Sequence, residues 1–509
     1  MMRQVLWVLG LVLGWEAGVA AAEAGGGPLV ERRWIETRSA HFNIYSCGAV
    51  PEASRLSARL EQFCEAYSLL AGAQAVASPP IVVMAFPDHE SMKPFLPLYQ
   101  GKPGNLAGFF TRGSDENLIV LSLPGTNSPD AEMEVIFHEY AHLLFRRNGD
   151  LWPLWLNEGM AEVYSTFETT GTRVRIGNPI EHHLRLLAEQ PLMPLTELFA
   201  VTPESPQYNE REHQGTFYAE SWLLTHFLMA GDNPVYKARF GQFTRLLREG
   251  SLPVPAFTNA LQSPLGVVEA ELRRYLQRGR FAPIELTLRA DVSEPKALAL
   301  RAITPVETYF RLGDELLRIG RLDAAESYFT RVQKLAPASP LPYEGLGLLA
   351  AEREMHEEAL HRLQEALQRG STSFLAHFAY AREKYRLTAD AQDRYLPLKA
   401  GDAAEIREEL HKSIALMPNF GPAHELLGFF EMVQGDEPAT AEQHLMRAIQ
   451  LEPENTSYLL SLAQAQWRDK NPEAARQTLK PLLLPNVNPK LRSRAEEILR
   501  QIDGEHSAH

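Results

Sequence analysis

Two histidines and a glutamate pose the chemical question in this sequence. Residues 137–145 read Phe-His-Glu-Tyr-Ala-His-Leu-Leu-Phe, which sets His138 and His142 four residues apart. On an α-helix that spacing stacks two imidazoles on one face, one turn apart, where a single ion can meet both. Glu139 adjoins the first imidazole and is placed to act as general base on a water held at such an ion, the HExxH arrangement. The flanking Val135, Ile136, Phe137, Leu143 and Leu144 are apolar. The helix is therefore expected to be buried, with its ligand rotamers held.

A carboxylate follows soon after. Fifteen residues separate His142 from Glu158, which lies in the run Leu154-Trp155-Leu156-Asn157-Glu158-Gly159-Met160-Ala161-Glu162. A second helix carrying Glu158 completes a His2Glu set of the kind that holds one catalytic Zn2+ and keeps a position open. Glu162, one turn further on, is placed to accept a hydrogen bond from a ligating imidazole and fix its tautomer. The chemistry this predicts is hydrolysis: the ion activates water and polarises a carbonyl, and Glu139 moves the proton.

Other reactive residues carry less. His182 and His183 are adjacent, so on a helix their side chains diverge by about 100° and chelate poorly together. His213 and His226 lack a partner pattern, and His356, His361, His377 and His424 fall where packing or solvent exposure is expected. The pairs Glu357-Glu358 and Glu408-Glu409 read as solvated helix faces. Cys47 and Cys64 are the only cysteines. They form either a disulfide or two separate buried thiols, and neither has metal-site spacing.

The elements that must position these groups follow from periodicity. His41–Ser46 alternates as a strand, and Pro80–Phe86 is a buried strand. Residues 107–111 and 118–122 flank a Gly-Ser-Asp-Glu-Asn segment as a hairpin, whose edge is a place for a peptide to add as a further strand. Helical apolar spacing covers Ala53–Leu70, 130–147, 155–168, 216–231, 233–248 and 266–279. Residues 281–305 show no strong period and read as a linker.

From residue 306 a 34-residue period takes over. Tyr309, Leu312, Gly313, Gly320, Ala325, Phe329 and Pro337 recur in kind as Tyr343, Leu346, Gly347, Ala359 and Ala366, and again as His424, Leu427, Gly428, Ala441, Ala448 and Pro453. The pattern resembles tetratricopeptide repeats over residues 306–485. It gives about five units, the third with an insertion near 387–402, and a capping helix and tail at 486–509. Small residues let paired helices approach, and Tyr309 and Phe329 fill the gaps between neighbours. Such solenoids present a surface to protein partners.

The region 35–280 also carries a resemblance. HEYAH followed by WLNEGMAE looks like the gluzincin metallopeptidases, in particular the WLNEG motif of the aminopeptidase N group. The resemblance implies an α+β zincin-like catalytic domain, a mixed sheet plus active-site helices, ahead of the all-α solenoid. It puts the ligand glutamate at Glu158 and its acidic supporting residue at Glu162. It also implies an oxyanion-stabilising tyrosine opening a later helix. Phe217-Tyr218-Ala219-Glu220-Ser221 is the closest match, with Tyr218 in that role and Ser221 in place of a glycine; Tyr208 is the rival. No GxMEN segment, which binds a free amine in that group, is present, so an endopeptidase is favoured over an aminopeptidase.

The rest of the sequence narrows the setting. The 509 residues have ordinary globular composition, 45% hydrophobic and 22% charged, and a net charge of −14 that argues against a nucleic-acid partner. Arg3, the apolar run Val5–Trp15 and Ala20-Ala21-Ala22 read as a signal peptide over residues 1–22, followed by a flexible stretch at 23–34. The expectation is an exported protein, periplasmic or secreted, with no stable membrane insertion after cleavage. It would cut peptide or protein substrates and meet a partner through its repeats. The alternatives are a catalytically silent scaffold and a zinc amidohydrolase acting on a cell-envelope component.

Overall fold

Strand-forming runs in the first third of the chain build a mixed sheet, and the helices that carry the reactive residues pack on one of its faces. The computed structural model describes residues 27–506 except 49, 73–80, 100–101, 105, 107, 114, 124–130, 148–151, 210, 290–299, 391–394, 437, 454 and 484–486. The strands used below are β1 (Ile35–Arg38), β2 (Phe42–Ser46), β3 (Ile81–Phe86), β4 (Gly108–Thr111), β5 (Leu118–Ser122), β6 (Glu168–Thr170), β7 (Arg173–Ile176), β8 (Ile284–Thr287) and β9 (Leu300–Ala302). The main sheet has the order β9-β1-β2-β3-β5-β4. Strands β2, β3 and β5 run parallel, and the outer pairings are antiparallel. The expected hairpin is present, with β4 at the sheet edge.

The helices that accompany this sheet and frame the reactive residues are α1 (Val50–Ala71), α2 (Ala131–Arg147), α3 (Leu154–Ser165), α4 (Glu181–Glu189), α5 (Pro206–Asn209), α6 (Arg211–Ala230), α7 (Pro234–Arg248), α8 (Pro253–Leu261) and α9 (Leu265–Arg278). Phe42, Ile44, Val83, Ile119 and Leu121 face a core shared with Phe63 of α1, Phe137 and Tyr140 of α2 and Tyr164 of α3. Phe63 and Phe137 stack with centroids 4.6 Å apart, which seats α2 on α1.

Every residue of β3 is buried. Alternate side chains of a strand point to opposite faces, so the sheet needs cover on both. The second cover is the first repeat. Val82, Met84, Phe86 and Val120 share a core with Phe310, Leu316, Leu317 and Phe329. The junction is braced by charge. Arg318, nearly buried, lies 2.7 Å from Asp115 beside β5 and 2.9 Å from Asp314 on its own helix.

Two expectations change here. Residues 281–305, read as a linker, contain β8 and β9. Strand β9 pairs with β1, and the next helix starts at once, with Thr304 and Glu307 forming a capping box. Arg301 ties Glu36 to Glu307 across this join. Within 23–34, read as flexible, Val30 and Trp34 are buried and Trp34 Nε1 donates to the Leu29 carbonyl. The small sheet β8-β7-β6 has no counterpart in the sequence pattern. The expected signal peptide, residues 1–22, lies outside the described residues. Among the described residues no helix is long and apolar enough to cross a membrane.

The repeats form helix pairs α10–α11 (Pro305–Arg318, Leu322–Leu335), α12–α13 (Leu341–Glu352, His356–Gln368), α14–α15 (Phe374–Arg386, Ala400–Leu416), α16–α17 (Gly421–Gln434, Pro438–Leu451) and α18–α19 (Tyr458–Arg468, Pro472–Leu479), followed by α20 (Pro489–His506). The small residues act as the period implies. A Cβ on Gly313 would come within 2.8 Å of Phe329, on Gly347 within 2.7 Å of Leu363, and on Gly428 within 2.8 Å of Leu445. Cys47 and Cys64 are both buried thiols rather than a disulfide, and they lie in the cores on opposite faces of the sheet.

The shared core makes a truncation prediction. A chain ending after the first repeat, near residue 338, should stay soluble and melt cooperatively. One ending at residue 304 exposes Val82, Met84, Phe86 and Val120 and should aggregate, as read by size-exclusion chromatography.

Candidate functional site

Helix α2 lies across the sheet beneath its edge strand. A Cβ on Gly108 of β4 would sit 3.3 Å from the Ile136 side chain. Further along α2, the two imidazoles of His138 and His142 face each other with Nε2 atoms 3.1 Å apart. Helix α3 packs beside α2 and brings Glu158 to the same point. Glu158 Oε2 lies 3.4 Å from His138 Nε2 and 3.2 Å from His142 Nε2. Three donor atoms thus form a nearly equilateral triangle. Glu139 flanks it, with Oε1 3.8 Å from His138 Nε2.

The outward ring nitrogens are oriented from behind. His142 Nδ1 donates to Asn157 Oδ1 at 2.9 Å, so its Nε2 lone pair faces the triangle. His138 Nδ1 lies 3.5 Å from Glu162 Oε1, and the other oxygen of that carboxylate is 3.1 Å from His183 Nε2. Glu162 therefore bridges two imidazoles. His183 is only 2% exposed, and the ring of its neighbour His182 lies against it with centroids 4.2 Å apart. Sequence spacing misses His183 because its role comes from the docking of α4 against α3, not from its neighbour. It misses Asn157 as well, although that residue directly precedes Glu158.

Both candidate tyrosines reach the site. Tyr208 of α5 donates to Glu158 Oε1 at 3.3 Å. The Tyr218 ring of α6 lies 6.2 Å from the His138 ring and 6.1 Å from that of Tyr208. His226, by contrast, is structural. Its ring is held between the Gly177 carbonyl and the Tyr275 hydroxyl, at 2.9 and 2.8 Å.

Charge explains the proton affinities. Burial opposes the protonated form of His138, yet Glu158, Glu162 and Glu139 outweigh it and push its pKa up to about 9. For Glu158, burial is outweighed by the two imidazoles, and its carboxyl is held well below the usual range. For Glu162, burial is again outweighed, chiefly by His183, and its pKa is lowered. Glu139 goes the other way, because burial raises it. Burial also raises Tyr208 and Tyr218.

Residues 310–374 and 431–483 match the family model of the tetratricopeptide repeat, so the helical pairs form a tetratricopeptide-repeat solenoid. The chain is similar to the cellulose synthase operon protein C of Xanthomonas axonopodis pv. citri (strain 306). The two are 24% identical over 236 residues, which is 45% of this chain and 15% of that protein. The chain thus spans a small part of that relative's length. Two solved structures are similar in part. YrrB, described as a tetratricopeptide-repeat protein with an unusual peptide-binding site, is 16% identical over 37% of this chain and 90% of its own, with a TM-score of 0.31. A thermophilic tetratricopeptide-repeat protein of Thermus thermophilus, TTC0263, is 22% identical over 38% of this chain and 98% of its own, with a TM-score of 0.30.

The position of Glu158 depends on how closely α3 approaches α6. A Cβ on Gly159 would run into the Ser221 carbonyl and Thr225 Oγ1. Gly159→Ala should therefore lower stability by about 1–3 kcal/mol in denaturant melts. Gly241→Ala, on α7 with nothing within 4 Å of its Cβ position, should be neutral or stabilise by up to about 1 kcal/mol.

Proposed function

We propose that this chain is an exported zinc-dependent peptidase of the gluzincin type, with His138, His142 and Glu158 as ligands and repeats that recruit a protein substrate or partner. The observation that carries this reading is the donor triangle, with edges of 3.1, 3.2 and 3.4 Å. Donors at 2.0–2.1 Å from a tetrahedral zinc ion stand about 3.3 Å apart. Glu158 Oε2 and Glu139 Oε1 are also buried without a well-directed hydrogen-bond donor among the described residues, which suits a carboxylate set made for a cation. The family match speaks to the repeats; the peptidase reading rests on the site.

Zinc bound there would polarise a substrate carbonyl and lower the pKa of a water towards about 7. The chain's own groups do the rest. Glu139, with its pKa raised by burial, accepts the proton of the attacking water and delivers it to the leaving amine. The Tyr208 and Tyr218 hydroxyls stay protonated; Tyr208 directs its one proton to Glu158, which leaves Tyr218 as the donor to the developing oxyanion. The edge of β4 offers backbone groups for an extended peptide to pair with, which favours an endopeptidase. Asn157, Glu162 and His183 hold the imidazoles in the ligating tautomer.

One observation favours a second reading. The tetratricopeptide match supports a binding scaffold in its own right. In that case the front half would recognise peptides without cutting them.

Zinc content and cleavage of a peptide library separate the two. Wild type should hold one zinc per chain in the front site. Glu139→Gln should keep the zinc and lose about 10²–10⁴-fold in turnover. His183→Gln should weaken zinc binding about 10–100-fold in a chelator competition. Equal behaviour of wild type and Glu139→Gln would leave the scaffold reading standing. Cleavage of cell-envelope amides in place of peptides would move the substrate class.

A further inference from the structure

We propose that His41, Glu61 and Cys64 form a second divalent-cation site, a mixed imidazole–carboxylate–thiolate set suited to zinc or a similarly soft ion. Their donor atoms all lie within 4.8 Å of one another. His41 stands just before β2, and its Nδ1 is 2.6 Å from Glu61 Oε2 on α1. Its backbone N–H also donates to Glu61 Oε1 at 2.9 Å, which fixes the carboxylate against the strand. Cys64 follows Glu61 by three residues, so helix geometry puts its sulfur on the same face.

The surroundings suit an ion. The side chains of His41 and Glu61 are 23% and 19% exposed, while Cys64 is buried. The donors therefore have the core on one side and water on the other. Carboxylate and thiolate together bring two negative charges, matching a divalent cation. Donors at 2.0–2.3 Å from zinc stand roughly 3.3–3.7 Å apart, so the His41–Glu61 pair must open by about an ångström, a small movement for part-exposed side chains. The neighbouring Phe42 and Phe63 are fully buried and anchor both backbones. The Tyr140 hydroxyl, 3.0 Å from Cys64 Sγ, remains beside the sulfur to orient it.

This site can be tested independently of the peptidase reading, because the His138–His142–Glu158 set contains no sulfur. Metal-free full-length protein is titrated with Co2+ and followed by absorption. A sulfur-to-cobalt charge-transfer band should grow to saturation in the wild type and in His142→Ala. It should be absent in Cys64→Ser, where total bound cobalt falls by one ion per chain. His41→Asn, which leaves the thiol untouched, should shift the titration midpoint by about tenfold or more, and this arm stands even if Cys64→Ser fails to fold. No band in the wild type, a band that survives Cys64→Ser and so arises at Cys47, or a midpoint unmoved by His41→Asn would each overturn the proposal.

Discussion

Three carboxylates, those of Glu139, Glu158 and Glu162, are drawn out of water within one cluster, and this is the constraint around which the front half of the molecule is arranged. Burying one unpaired carboxylate costs several kcal/mol, and like charges at close range raise the cost. The compensation is a relay of imidazoles and an amide, running His183–Glu162–His138–Glu158–His142–Asn157. Its electrostatics pull in one direction. Glu158 and Glu162 are held ionised, and His138 is pushed towards protonation. A proton on His138 and a divalent ion at the triangle compete for the same lone pair. The field that raises the basicity of His138 is thus the field that would draw a cation in and displace the proton.

Such a relay works only if its members are held to within a fraction of an ångström, and no single element can do that. The three donors of the triangle come from α2 and α3, their supports from α3 and α4, and the tyrosines from α5 and α6. Their relative positions are set by dry packing. Phe63, Phe137, Tyr164 and Phe167 lock α1, α2 and α3 together by stacked and edge-to-face contacts. On the far side of α3, Gly159 lets the Ser221–Thr225 turn of α6 approach at backbone distance. One glycine therefore sets how far Tyr218 stands from Glu158. Buried polar chemistry and close helix contact here depend on each other.

What can be read from the sequence follows the range of the interactions involved. His138 and His142 are related by one helical turn, and Glu158 and Glu162 by another, so local periodicity brings out all four. The repeats are legible because the same contacts recur every 34 residues. His183 escapes on a sound local argument, since adjacent helical side chains do diverge. Its partner Glu162 is 21 positions away and meets it only after α4 docks. Strand β9 leaves no pattern because all three of its residues are exposed; it exists through pairing with β1 alone. The Arg318–Asp115 pair links positions 203 residues apart, and nothing in either neighbourhood announces the other. The two tyrosines cannot be ranked from spacing, and the structure brings both to the site.

The docking of the first repeat changes how the two halves of the molecule relate. A flexible tether would give the repeats and the cleft a range of separations, and a bound partner would be presented to the site at an effective concentration set by linker length. Here α10 covers one face of the very sheet whose other face carries α2. Arg318, buried between Asp115 and Asp314, makes sliding at this interface expensive, because moving it would strand a charge in the core. The solenoid therefore leaves the sheet in one direction. Under the proposed function, a protein held along the repeats would be presented to the His138–His142–Glu158 triangle at a fixed separation rather than over a range of them.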